Sequence, residues 1–416
     1  MSHPPLTLWN ARMADADMHD LETLFSLVTE NGNIASIEPV SGQPAPTGCI
    51  DLAGATIVPG LIDVHMHVLS SEITRNKGFG PPAELKGGEP RSRELGYFIL
   101  TAMAKAVLEA GITTIRDVGG NDAEAIVLRQ AVALGIVPGP QVFSCGKIIS
   151  ATSPGGIIFD AMYRQADGPE EMRKAVREQI RSGADFIKLM ATGARSVERE
   201  NPEPAQMTRE EIATIVEEAH RMGLRVAAHA EGLEGTRIAV DEGVDTIEHG
   251  LSLHRDPKVL DQMAEQGTVL VPTLSTFHDL AERFPESFPD VLVEQAKRQL
   301  DEAYQTLTAA DSAGVTLALG HDSGPPGDAG IELVRMVQGG LTPIKALTAG
   351  TKGSAAALGL TDRGELKVGK RADLLVVEGN PLDDISLLNN RSAIQMVVKH
   401  GDIVTNHLQE NSHVAR

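Results

Sequence analysis

Residues 55–67 read ATIVPGLIDVHMH, an apolar run that ends in two histidines one residue apart. A short continuous apolar run of this kind reads as a buried strand, expected over 55–62. Along a strand, residues i and i+2 point to the same face, so His65 and His67 project together from its end. Alone the pair is a weak signal, because two core or surface histidines would look the same.

Outward from this strand, short apolar runs alternate with amphipathic stretches. Strands are expected near 112–118, 140–146, 185–191, 224–229, 244–248, 268–274 and 315–320, with helices over 97–110, 122–134, 169–182, 208–222, 256–266 and 291–313. Gly111, Gly183, Gly223, Gly243, Gly267 and Gly314 each follow a helical run and precede a strand, where a glycine cap belongs. Eight strand–helix units predict an α/β fold, a (β/α)8 TIM barrel with its site at the C-terminal strand ends.

Both flanks have a different rhythm. Residues before about 56, and the stretches 363–380 and 395–405, read as short strands with turns. The expected division is 1–56 and 361–416 as the two parts of a small β-sandwich domain, with 57–360 as the barrel. The segment 70–96, rich in glycine, proline and charge, reads as a long loop over the first strand.

The 416 residues exceed the roughly 250–300 at which a single core usually stops growing, which suits a barrel plus a smaller module. Hydrophobic residues make up 42% and aromatics only 3%, so the core must be aliphatic. A net charge of −20 repels phosphate backbones and anionic lipid, arguing against nucleic acid and membrane surfaces as partners. The start MSHPPLTLWNARM lacks a charged and then apolar leader, and no apolar stretch reaches membrane-spanning length. Cys49 and Cys145 match no zinc-finger spacing and read as free thiols, so a cytoplasmic setting is expected.

Polar residues recur at the other strand ends. Lys188 interrupts the apolar run Phe186-Ile187-Lys188-Leu189-Met190. A buried lysine is either salt-bridged or a neutral, reactive amine. His229 ends the fifth strand, His249 the sixth and Asp322 the eighth. Four imidazoles, a carboxylate and a lysine on one rim are a donor set for two divalent ions, and imidazole with carboxylate suits zinc.

With these residues in view, the chain resembles the amidohydrolase superfamily. Residues 59–67 (PGLIDVHMH) are similar to its first-strand signature, and 369–374 (GKRADL) with Asn380-Pro381 to its returning β-domain. The segments around Lys188, His229 and His249 are most similar to the imidazolonepropionase-like branch, with its Xaa-Pro and Xaa-Arg dipeptidases and ochratoxin-cleaving amidases. The resemblance implies that Lys188 is carbamylated and bridges two ions, that His65, His67 and Asp322 hold one, and that His229 and His249 hold the other. It also implies amide cleavage (of an N-acyl amino acid, a dipeptide or a related amide) by a metal-bridging hydroxide, with Asp322 passing the proton to the leaving nitrogen. Many relatives are multimers, so a homo-oligomer is expected.

The chain departs from its relatives in three places. Isoleucine stands at 157 where many have a substrate-facing histidine after two glycines, and Glu231 stands where several peptidases have tyrosine. His321 precedes the aspartate; it and Glu231 are candidate substrate contacts, although strand alternation with Asp322 favours packing for His321. A mononuclear deaminase or imidazolonepropionase proper would lack Lys188 and carry glutamate, not glycine, at 232. A cyclic amide, carbamate or lactone hydrolase remains open, whereas a non-catalytic binding barrel would be expected to lose ligands.

Overall fold

The computed structural model describes residues 5–408 except 20, 42, 69–92, 121–123, 195, 196, 198, 284, 288 and 323–326. The expected loop 70–96 therefore lies almost wholly outside the described residues, and its end, 93–96, is the first turn of the helix Arg93–Glu109. The chain opens with β1 (Leu6–Met13), β2 (Leu24–Glu30), β3 (Asn33–Val40), β4 (Ile50–Asp51) and β5 (Thr56–Pro59). Next come β6 (Leu61–Met66), β7 (Ile112–Asp117), β8 (Gln141–Ser144), β9 (Ile148–Ser150), β10 (Tyr163–Gln165), β11 (Ile187–Met190), β12 (Val226–Ala230), β13 (Thr246–His249) and β14 (Val269–Val271). The last are β15 (Leu374–Val377), β16 (Ile394–Lys399) and β17 (Asp402–Asn406).

Strands from the two chain ends join one eight-stranded sheet in the order β17-β16-β15-β5-β1-β2-β3, with β4 also against β1. β1 pairs with β2 and β4 along its first part and with β5 through Arg12 and Met13. The sheet changes partners there, and its two halves share a core: Leu8, Leu27 and Ile34 cluster with Ile57, Val376 and Met396. The alternate residues Val58, Leu375, Val377 and Val397 join the large central core instead. This half of the sheet is apolar on both faces because one faces its own domain and the other faces the helices and strands beside it.

The middle strands are parallel, β6-β7-β8 in one group and β10-β9-β11-β12-β13-β14 in another. Backbone bonds cross the gaps. Asp185 N–H donates to Ser144 O at 2.8 Å, leading from β8 to the start of β11. On the other side, Leu317 bridges Leu270, Val64 N–H donates to Leu319 O at 2.9 Å, and Asp322 N–H donates to His65 O at 2.7 Å. The helices Pro169–Ser182, Arg209–Arg221, Pro257–Gln266 and Asp290–Ala313 fall within a residue of the expected ranges. Gly183, Gly267 and Gly314 cap three of them in the left-handed conformation, which a Cβ would strain.

Two expected strands differ. The run 55–62 is not one strand: β5 belongs to the eight-stranded sheet, pairing with β15, and only β6 enters the parallel set. The break falls at Pro59-Gly60, where a Cβ on Gly60 would sit 2.5 Å from the Thr113 side chain, so the chain crosses between sheets at the one residue thin enough to pass. The stretch 315–320 is not a continuous strand: Leu317 alone within it forms a bridge, to Leu270, and single backbone bonds do the rest.

Candidate metal centre

β6 carries His65, with His67 one residue beyond it, to the end of the parallel set where Asp322 lies. His65 Nε2 is 3.5 Å and His67 Nε2 3.4 Å from Asp322 Oδ1. The His249 ring lies 5.1 Å from that of His65 and 4.6 Å from that of His229, centroid to centroid. One ligand atom each from His65, His249 and Asp322 falls within 4.8 Å of the others. Lys188 projects from β11 into the same interior, 2% exposed, and its Nζ has no hydrogen-bond partner among the described residues.

His249 and Asp322 reach the site by breaking strand alternation. Glu248 already faces inward, toward His65, so regular pleating would turn His249 outward. His249 instead has φ +70°, and Asp322 has φ +60°. Thr273, which contacts His249, has φ +48°. Left-handed backbone is costly for residues with a Cβ, and three such residues meet at this rim.

The tautomers suit metal binding. His65 Nδ1 donates to Glu248 Oε2 at 2.7 Å, and His67 Nδ1 donates to the Gly119 carbonyl at 2.7 Å. A carbonyl and an ionised carboxylate only accept, so Nδ1 carries a proton in each ring and Nε2, the atom aimed at Asp322, is the one that can offer a lone pair to a metal. Without a metal, and although burial opposes it, Asp322 raises His67 above the usual value, so that ring must give up its Nε2 proton to bind. His249 Nδ1 meets Thr273 Oγ1 at 2.6 Å, which leaves its Nε2 as the candidate ligand atom. His229 is reversed: its Nε2 donates to Gly193 O at 3.1 Å, so Nδ1 holds the lone pair. Such outward bonds fix ligand rings and raise their basicity.

Electrostatics point the same way. Burial pushes Lys188 down to about 8, against the pull of Glu248, so the neutral amine, only a trace for an ordinary lysine, becomes a minor but appreciable share near neutral pH. Burial also lowers His65 to about 4, opposed by Asp322, and the ring stays uncharged. Although burial resists it, His65 and His67 hold the Asp322 carboxyl well below the usual range. Four imidazoles that are neutral or can become so, an ionised carboxylate and a buried amine with no hydrogen-bond partner among the described residues are a donor set that fits divalent cations.

The remaining candidates are placed as follows. Glu231 is buried, with Oε1 3.3 Å from His229 Nε2 and its backbone N–H on Thr192 Oγ1. His321 is buried, and its backbone N–H donates to Asp63 Oδ1. It follows Gly320, where a Cβ would meet His65 Cβ at 2.6 Å. Ile157 is 83% exposed in the short helix Gly155–Ile158.

Several residues escaped the sequence reading. Glu248 links His65 to Arg116, whose Nη2 donates to Glu248 Oε1 at 2.7 Å. Arg116 also donates to Val64 O and Thr246 Oγ1 and is 2% exposed. A charge inside an apolar strand marks Arg116 as it marks Lys188, so the signal was present in the run 112–118. Thr273 and Thr276 gave no such signal.

The model of the amidohydrolase family matches residues 56–404. The chain belongs to the amidohydrolase family. It is 33% identical over 378 residues to the ochratoxinase of Aspergillus niger, a match covering 83% of this chain and 75% of that protein. The solved structure of A. niger ochratoxinase has a TM-score of 0.82 at 28% identity, covering 97% of this chain and 96% of that one. A Xaa-Pro dipeptidase solved with methionine bound in its active site has a TM-score of 0.83 at 30% identity, covering 96% and 99%. The imidazolonepropionase of Paracoccus denitrificans is 27% identical, covering 84% of this chain and 87% of its own. These amidohydrolases place the chain in the imidazolonepropionase-like branch and imply a TIM barrel with a second domain. The protein is a hydrolase acting on carbon–nitrogen bonds. Amidohydrolases typically bind metal, and here His65, His249 and Asp322 stand close enough together to do so.

Proposed function

We propose that this amidohydrolase is a binuclear enzyme with a closed (β/α)8 barrel that hydrolyses the amide of an N-acyl amino acid, a dipeptide or a related small molecule. The observation that carries the reading is Lys188: a buried amine whose Nζ has no hydrogen-bond partner among the described residues, within electrostatic reach of His65, Glu248 and Asp322, and partly neutral. Reaction of such a neutral amine with CO2, with loss of a proton, would give a carbamate, a carboxylate through which Lys188 would help to hold the two ions. His65, His67 and Asp322 would hold one ion and His229 and His249 the other. When bound, two zinc ions supply a Lewis acid for the scissile carbonyl and lower the pKa of water.

The chain's own groups do the rest. Glu248, Gly119, Thr273 and Gly193 hold the four imidazoles in their tautomers. Asp322 is ionised at neutral pH and accepts the proton lost by the attacking water. It then returns that proton to the leaving nitrogen, so the products are an amine and a carboxylic acid, which ionises by giving its own proton to solvent. Oδ2 is the atom that carries it, since Oδ1 faces both imidazoles.

The test is a metal titration joined to a hydrolysis panel of N-acyl amino acids, dipeptides, aryl amides, carbamates and lactones. The expected outcome is turnover of an acyclic amide that rises until two zinc ions are bound per chain. Full activity at one ion per chain would refute the binuclear reading. Turnover confined to carbamates or lactones would refute the substrate class.

A further inference from the structure

After β14 the chain makes a tight turn, 273–276, that touches two of the proposed ligands. Thr273, in left-handed backbone, meets His249 Nδ1 through its hydroxyl. Three residues on, Thr276 Oγ1 donates to Asp322 Oδ2 at 2.6 Å. Thr276 is buried. The two oxygens of Asp322 are thereby divided: Oδ1 lies toward His65 and His67, and Oδ2 toward Thr276.

The turn is itself anchored from a distant element. Glu332, in the helix Gly330–Gln338, is fully buried. Its carboxylate accepts the backbone N–H groups of Leu274 and Ser275, each at 2.7 Å, and the Ser275 hydroxyl at 2.6 Å. Three bonds to one carboxylate fix the first turn of the helix Leu274–His278, and Thr276 lies within that turn. A carboxylate on a single Cβ–Cγ bond rotates broadly when nothing holds its oxygens. Here a hydroxyl on an anchored turn stops that rotation.

We infer that Thr276 is a positioning residue for Asp322, keeping one oxygen toward the imidazoles and the other for the proton, with Glu332 anchoring the turn that carries it. The inference rests on the role proposed for Asp322. Misplacing a reacting group by about 1 Å costs on the order of 10²-fold. Loss of one of several restraints should cost about 10–100-fold in kcat, with little change in KM, because substrate is not what Thr276 touches.

The experiment compares Thr276→Val, Thr276→Ser and Asp322→Asn, zinc-loaded, on the panel amide turned over fastest. It also records the visible spectrum of each protein loaded with Co2+ and its zinc stoichiometry. Valine matches threonine in shape; should Thr276→Val fail to fold, Thr276→Ala, which leaves room for water beside Asp322, takes its place. The expected result is a kcat loss of about 10–100-fold in Thr276→Val. Zinc content should be unchanged, the Co2+ bands altered, and Thr276→Ser should recover to within about threefold of the parent. A parental kcat and Co2+ spectrum in Thr276→Val, beside a collapse in Asp322→Asn, overturns the inference and leaves Asp322 in its role. Equal losses in the serine and valine variants, with a lowered melting temperature, mean that the side chain merely packs, and also overturn it. Parental kcat and zinc content in Asp322→Asn would refute the proposed role of Asp322 itself, and the inference with it.

Discussion

Strands β6 and β15 are both fully buried, yet they are built in opposite ways. β15 is LLVV, with alternate residues serving two apolar cores and no titratable group. β6 is LIDVHM and buries Asp63 and His65 among its apolar residues. Burial pushes Asp63 up to about 8 and His65 down to about 4. Each shifted group is one that folding holds in its less solvated environment at a cost. β15 stabilises the molecule through area removed from water, whereas β6 gives up part of that gain to hold a reactive arrangement. Equal burial therefore does not mean equal purpose.

Three substitutions would break or sharpen this contrast. The largest effect is expected from Lys188→Ala, which should abolish binding of the metal pair and reduce turnover to background. Zinc stoichiometry and kcat check it, and parental values in both would leave Lys188 as a packed side chain. A pH dependence belongs to the same test. Carbamylation needs the neutral amine, whose share rises as pH passes about 8, the folded-state value of Lys188. Metal uptake by the apo-protein in bicarbonate should therefore climb through that range, and Lys188→Ala should show no such climb.

Glu248→Gln stands between the two regions. It keeps the volume but weakens the acceptor for His65 and leaves Arg116 buried without a counter-charge. Metal affinity should fall about 10–100-fold, as for other partners behind a ligand, measured by competition with a chelator. The apo-protein should also melt at a lower temperature, because breaking a buried ion pair strands a charge. A change in affinity with no change in melting would mean that the pair supports the site alone.

The smallest effect on catalysis is expected from Leu375→Ala in β15. Leu375 is fully buried and packs over Gly111, where the sheet meets the parallel strands. Its truncation should cost about 2–5 kcal/mol by denaturant unfolding, with kcat at saturating zinc within about twofold of the parent. A large fall in kcat would show that the sheet tunes the site as well as supporting the fold.

Much of the molecule was legible from local pattern. Alternating runs located β6, β7, β8, β11, β12, β13 and β14 and most helices, but not the three-residue strands β9 and β10, which are too short to show a pattern on their own. Glycine after each helical run marked the caps. A polar residue at the end of an apolar run picked out His65 and His229, and one in the middle of such a run picked out Lys188. Each of these signals depends on neighbours within a few residues, which a single sequence displays. The crossing at Pro59-Gly60 was not legible, because the run is equally apolar on both sides and only pairing with β15 claims its first half.

What the tertiary structure alone decided is how the donors face one another. Pleating would turn His249 away from the side that Glu248 occupies, and a left-handed φ brings it in. Which nitrogen each imidazole presents depends on Glu248, Gly119, Thr273 and Gly193, partners up to 183 residues away. The division of Asp322 between His65, His67 and Thr276 likewise needs segments that meet only on folding. Residue type and periodicity are properties of short windows of chain and so appear in the sequence. Tautomer, rotamer and positive φ are imposed by distant partners, so they exist only once the strands have come together.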